Sequence, residues 1–481
     1  MKRVYKVLIA LAVVISFSAC EKKITDLRPI DQIPADAAIQ NMADVTNALN
    51  GVYATWQQRR SVYINSLMTD EVRLGTGTEY RNVGNILFNW QHVSDSQDWR
   101  DGETGGVWTN LYSVIDRANR LLELMMPVPT PTPAEAAQKA QFRGELLALR
   151  ALAHFELLRY FSETVTYTAD RPGVVLQTEY VKAPGAYRPS RNTQGEVITQ
   201  INADLAEAKG LIPASWTNIS RITRNAVTTG QARVALHTRN WQEVVTTSTE
   251  VINAQPLTPR SAYAALWTTR SLPENQSTEV IWKLNIAPSN LGLAVGSLFQ
   301  DIGAGAVQAS GNTELVGLYD TTDIRLSTFF NTAGTRPLIS KYGLVQNANG
   351  ENFQYDIKVM RTSELVLARA EANAELDQFV AANNDLSLLR TNRIAGYVHV
   401  PILDKAALIS AIIQERRKEL VYEGHRYHDL RRRNLTISRT LADAGGNAAS
   451  QTLAPTNTKF ILPIPQQETF ANPNVAQNPG Y

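Results

Sequence analysis

The stretch "ERRKELVYEGHRYHDLRRRN", Glu415 to Asn434, places seven Lys or Arg, four carboxylates and two histidines in twenty residues. Ile409, Ile412 and Ile413 before it, with Leu420 and Val421 inside it, predict an amphipathic helix whose Glu415, Glu419 and Glu423 share a face at four-residue spacing. A row of like charges destabilises an isolated helix, so cations must meet it, either arginines of the same stretch, Arg416 and Arg426 among them, or groups from other segments. Gly424 then frees the chain to turn out of the helix. Three chemistries compete for this stretch. His425 and His428 with Glu423 or Asp429 are metal-ligand types, but no two histidines lie four apart as in a helical zinc motif. Arg431 to Arg433 suit phosphates, yet acidic residues are interspersed and 47 Lys+Arg against 45 Asp+Glu leave a net charge of only +2, which argues against nucleic acid. An ion-pair network locking the last helix to a scaffold fits the charge spacing best.

With 481 residues, 44% of them hydrophobic, the chain can fill one large domain or two ordinary ones. Its start, "MKRVYKVLIALAVVISFSAC", has cations in front, an apolar run from Val7 to Phe17 and small residues before Cys20. Residues 1–19 read as a secretory signal, too short to span a bilayer. Cys20 is the only cysteine, so no intramolecular disulfide is available. The pattern resembles a bacterial lipoprotein signal, which implies acylation at Cys20 and attachment to the membrane through lipid alone. Residues 20–35 form a polar tether.

The body reads as mainly α. Trp108, Leu111, Ile115, Leu122 and Met125 recur at spacings of three, four or seven and predict one buried stripe, ended by the prolines of 127–133. Leu146, Leu149, Ala153, Leu157 and Tyr160 predict a second helix, in which His154 reads as packed. Two further stretches read as helix, short turn, helix. In one, Ala232, Ala235 and Leu236 precede a turn at Arg239 and Asn240, then Trp241, Val244, Val245 and Ile252. In the other, Leu365, Ala368 and Ala372 precede a turn near Asp377, then Val380 and Leu388. These resemble tetratricopeptide-type hairpins of irregular spacing. Residues 163–193 and 256–350 are rich in Gly, Thr, Ser, Pro and Asn, with β-like runs such as "EVIWKLNI", and read as loop-rich insertions. The reading divides the body into an N-terminal half, 36–255, and a C-terminal half, 256–481, carrying the insertion 256–350.

The opening stretch also resembles the C-terminal signature of the SusD/RagB family, through Glu415, Arg416, Arg417, Glu419, Leu420, Glu423, Gly424, Arg426, Asp429, Leu430 and Arg431 or Arg432. "FRGELLALRALAHFELLRYF" is similar to the family's Arg-Gly-Glu…Leu-Arg-Ala helix, at Arg143, Gly144, Glu145, Leu149, Arg150 and Ala151. "MRTSELVLARAEANAEL", "LLRTNRIAG" and the ending "LPIPQQETFANPNVAQNPGY" resemble further family segments, in family order. The resemblance implies a SusD-like fold and a non-enzymatic, cofactor-free lipoprotein of the outer membrane, exposed at the cell surface. It further implies capture of oligosaccharides, or in some relatives peptides, for a SusC-like TonB-dependent transporter that the protein caps as a lid.

A glycan binder stacks aromatics on sugar faces and surrounds them with groups that hydrogen-bond hydroxyls. Asp70, Arg73, Tyr80, Arg81, Trp90 and Trp99 lie in polar, Gly-rich surroundings, and Trp99 in "SDSQDWRDG" has the least apolar company. Tyr263 and Trp267, at the start of the long insertion, form a second candidate place. A surface-anchored glycoside hydrolase is the rival class, since Asp98, Asp101 and Glu103 flank Trp99; that chemistry needs two carboxylates facing each other. No Gly-x-Ser-x-Gly or His-Glu-x-x-His motif is present.

Overall fold

The prolines of 127–133 end one helix and begin another. The helix Glu103–Leu124 stops before them, and Pro133 occupies the first turn of Pro133–Phe161, where its missing N–H costs nothing; Thr132 and Glu135 close a reciprocal cap around it. The structure, a computed structural model, describes residues 38–74, 85–94, 103–182, 184–275, 278–286, 294–300, 307–334, 336–343, 353 and 355–481. Cys20 and the tether, Tyr80, Arg81 and Trp99 lie outside these residues.

The principal helices are α1 (Met42–Thr55), α2 (Gln58–Met68), α3 (Glu103–Leu124), α4 (Pro133–Phe161), α5 (Gln194–Leu211), α6 (Arg224–Thr238), α7 (Trp241–Ala254), α8 (Thr362–Glu375), α9 (Phe379–Thr391), α10 (Lys405–Glu419) and α11 (Arg426–Arg432). From α3 to α9 each packs on the next, while α1 and α2 lie on α3, and α10 lies on α8. The α6–α7 turn is made at Arg239 and the α8–α9 turn at Asp377, both in the left-handed region. Small residues let these pairs close up: Ala235, Leu236 and Val244 meet Ala368 and Ala372 across α6, α7 and α8. Helices α7 and α8 therefore touch although 107 intervening positions, 255–361, separate them in sequence. That insertion loops out of the helical stack and returns.

Strands are short and paired only two by two: β1 (Val72–Arg73) with β3 (Ser310–Gly311), β2 (Val280–Leu284) with β6 (Ile357–Arg361), β4 (Phe330–Asn331) with β5 (Leu338–Ile339), and β7 (Ile437–Ser438) with β8 (Thr452–Leu453), all antiparallel. The run "EVIWKLNI" contains β2, set opposite β6 with Val280 facing Arg361 and Leu284 facing Ile357. The insertion also contains short helices, such as Ile324–Phe329, which its composition did not predict.

The opening stretch is the knot of the C-terminal half. Helix α10 ends at Glu419, one turn earlier than its charge spacing predicts, because Tyr422 and Gly424 both take positive φ. The three glutamates still converge. Glu419 meets Arg361 at 2.9 Å and Arg325 and Arg393 at 3.1 Å; Glu423 meets Lys341 at 2.6 Å and Arg361 at 2.7 Å; Glu415 meets Arg325 at 2.6 Å and Arg390 at 2.7 Å. Their cations come from other segments. Arg416 turns instead to Asp429, and Arg426 to Asp70. Glu279 joins Arg361 and Arg393 from β2's side, so every carboxylate here faces at least two cations. Burial would raise the Glu419 carboxyl, but Arg393, Arg361 and Arg325 outweigh it and hold it well below the usual range. Arg431 spends its guanidinium on main-chain carbonyls, of Tyr160 at 3.1 Å and Thr164 at 2.7 Å.

Candidate functional site

Helices α1 and α2 are separated by Trp56 and Gln57, and this break opens a cleft. Trp56 leaves α1 in an extended conformation and sets its ring edge-on to Trp282 of β2, centroids 5.3 Å apart. Its indole N–H donates to the Gln58 side-chain oxygen at 3.2 Å, and the Gln57 oxygen accepts from Arg60 at 2.6 Å. The NH₂ groups of both glutamines make no hydrogen bond to any described residue. The cleft, about 240 Å³, is walled by Tyr53, Trp56, Gln57, Gln58 and Arg59 on one side and by Ser220, Leu284, Asn285 and Ile286 on the other. A separate crevice of about 10 Å³, room for about one water, shares Trp56, Gln57 and Gln58 with this cleft and is lined further by Val107 and Asn110 of α3 and by Glu156 of α4.

The facing wall is bolted in place. The Tyr53 hydroxyl donates to Glu145 at 2.6 Å and accepts the Ile222 N–H at 2.8 Å. Arg221 grips Glu145 through two bonds of 2.8 Å and lies over the rings of Phe142 (4.8 Å) and Trp216 (5.2 Å). Burial pushes the Glu145 carboxyl up, against the pull of Arg221. The segment around Ser220 is thus held to α1 and α4 by one charged group and one phenol.

Among the described residues, no carboxylate lines this cleft. Its amides, hydroxyl and guanidinium can hydrogen-bond a ligand beside the half-buried Tyr53 ring and the 6%-exposed edge of Trp56, and the described residues of this lining offer no acid and base pair for hydrolysis.

The sequence candidates that the structure describes lie elsewhere. Asp70 is buried and clamped by Arg426 at 2.7 Å and Arg417 at 3.2 Å; burial would raise its carboxyl, but the two guanidiniums hold it well below the usual range. Trp90, also buried, donates its indole N–H to the Met68 carbonyl at 2.9 Å under the Arg439 guanidinium. Tyr263 donates to Glu419 at 3.2 Å with Arg393 3.8 Å above its ring, and Trp267 supports Lys341 at 4.2 Å. These four aromatic and acidic groups serve the core and the ion-pair network, and none lines the Trp56 cleft. Arg73 is half-buried in β1, opposite Ser310. The sequence reading passed over Trp56, Gln57, Gln58 and Trp216. Trp216 in "PASWTN" carried the same signal that singled out Trp99, an indole without apolar company.

Known proteins share this architecture. Residues 238–481 match the family model described as SusD family, and residues 28–236 match the one described as starch-binding associating with outer membrane. The chain is 21% identical to SusD-like protein P25 of Formosa agariphila, with all of both chains covered. Among solved structures it is similar to a putative sugar binding protein from Bacteroides vulgatus, with a TM-score of 0.76 and 24% identity over 92% of this chain and 99% of that one. It is also similar to a laminarin binding SusD-like protein, with a TM-score of 0.71 and 21% identity over 92% and 100%. The helical stack, the paired strands and the C-terminal knot thus have one source: the chain belongs to the SusD family of non-enzymatic, outer-membrane-associated binding proteins.

Proposed function

We propose that this protein is a surface lipoprotein, anchored through Cys20, that captures oligosaccharides and hands them to a SusC-like TonB-dependent transporter. The observation that supports the glycan reading is the Trp56 cleft, where Tyr53 and the edge of Trp56 stand beside amides, a hydroxyl and the Arg59 guanidinium, with no carboxylate among the described residues of the lining. Laminarin binding in one similar structure and sugar binding in another support the ligand class. Trp99 lies outside the described residues, and its polar sequence setting makes it the first ligand-contacting residue to test.

The test is calorimetry of the secreted chain lacking Cys20 against laminarin, starch, xylan and pectin, with product analysis of the same mixtures. At least one glycan binds and is recovered intact, and Trp99→Ala weakens that binding by about tenfold, as loss of one stacking contact of about 1.4 kcal/mol implies. Silence across all four glycans overturns the ligand class. For the anchor, Cys20→Ala moves the protein from the outer-membrane fraction to the soluble one; unchanged membrane retention overturns lipidation.

A further inference from the structure

We propose that the segment from Ala214 to Arg221 is a ridge between two sugar subsites, and that the protein selects glycans long enough to cross it. This rests on the glycan reading above and adds to it a second subsite and a minimum ligand length. The Trp56 cleft lies on one side of the ridge. On the other is a cleft of about 380 Å³ lined by Trp216, Thr217, Arg224, Asn225, Gln255 and Asn275 among others. Ile219 lines this second cleft and Ser220 lines the first, so adjacent residues, with Cα atoms about 3.8 Å apart, divide the two hollows.

The ridge is rigid on both flanks. Tyr53 and Arg221 fix it to Glu145, as described above, and the Ile219 backbone is pinned between the Glu274 carbonyl and the Lys283 N–H, both at 2.8 Å. The clefts therefore keep a fixed spacing. Trp216 is half-buried, with Arg221 over its ring, and forms part of the second cleft's wall. Around it stand side-chain amides and hydroxyls, groups that both donate and accept, as sugar hydroxyls do. Arg224 is exposed at the rim and makes no side-chain bond to any described residue. Among the described residues, no carboxylate lines this cleft either.

Size decides between independent and joint use. Ligand sites usually enclose about 300–1,000 Å³, so the first cleft is below that range and the second near its floor. Each suits a short piece of glycan, and a firm grip needs both. When one molecule occupies two subsites, the second contact becomes intramolecular and affinity rises by a factor on the order of 10² or more over either alone.

The experiment measures affinity, by calorimetry on the same secreted chain, for ladders of oligosaccharides from disaccharides upward, cut from laminarin, starch, xylan and pectin. The expected curve is a step: weak binding of short members, then a rise of about tenfold or more over one or two added sugars. Trp216→Ala brings the long members down to the level of the short ones. Arg224→Ala, a change at an exposed side chain that leaves the fold alone, reduces the step on its own and keeps the test decisive if Trp216→Ala does not fold. Binding that rises without a step, or a step untouched by both variants, overturns the ridge proposal while leaving the glycan reading standing. No binding at any length overturns both.

Discussion

His154 carries its proton on Nδ1, and its neighbours decide this. Nδ1 lies 3.0 Å from the Arg150 carbonyl, which can only accept, and Nε2 lies 3.2 Å from the Gln177 N–H, which can only donate. Burial and then the Arg150 charge push the imidazole down to about 3. The ring is therefore neutral throughout the physiological range; heteronuclear NMR shows the Nδ1–H tautomer and no titration between about pH 5 and 8, and a midpoint inside that window would refute the assignment. The Glu419 carboxylate is the opposite case, a buried charge that must stay charged. Glu419→Gln leaves Arg361, Arg393 and Arg325 facing an amide, which costs about 3–5 kcal/mol in chemical denaturation. A loss below about 1 kcal/mol would mean that the remaining carboxylates absorb the charge without help.

At the scale of elements, α4 and α5 approach closely at Gly144 of α4. A Cβ there would lie 2.9 Å from the Ile212 side chain and 3.0 Å from Leu211 Cβ. Alanine gains about 1 kcal/mol of helix propensity over glycine, yet Gly144→Ala is expected to destabilise by about 1–3 kcal/mol, because α4 and α5 must move apart. A raised melting temperature would show that the pair can give way. The stripes on α3 and α4 and the turns at Arg239 and Asp377 were legible because apolar period and turn residues are local signals. The second helix of the last hairpin was misread: Val380 and Leu388 are exposed, and Asn383 takes the inward position, where its NH₂ group donates to the Ile402 carbonyl at 3.0 Å. Spacing alone does not tell which face of a short helix meets a returning loop. The same limit governed the site. Asp70 and Trp90 have polar sequence neighbours but are buried by residues more than 300 positions away, Arg417, Arg426 and Arg439. Trp56 and Ser220 become neighbours through long-range links, those of Tyr53 and Arg221 to Glu145 and that of Ile219 to Lys283 of β2.

Across the whole molecule, acid sensitivity is set by histidines before carboxylates. His92, His154 and His237 are pushed by burial to about 3, His425 to about 4, and His428 well below its ordinary value. The unfolded chain binds protons on all five near pH 6.5 while the folded one does not, so stability is full above that pH and falls as acid is added. Each contributes up to about 1.4 kcal/mol per pH unit. Glu71, Glu145 and Asp385, raised by burial, act in the opposite direction, three groups against five. Glu364 and Glu415, held near 2 by their cations against burial, lose their contribution only below about pH 4.5. The melting temperature should therefore drop steadily from pH 6.5 to 4.5; a flat profile there would show that these rings protonate inside the fold. The C-terminal knot also bears on how the chain is made. Synthesis runs from the N-terminus, and Glu415, Glu419 and Glu423 arrive long after Arg325, Lys341, Arg361 and Arg393. A chain cut short of Glu415 keeps those cations with only part of their counter-charge and cannot bury them. Closure of the C-terminal half should thus wait on residues 415–423, and a copy cut short of Glu415 should be digested faster by added protease than one that carries them.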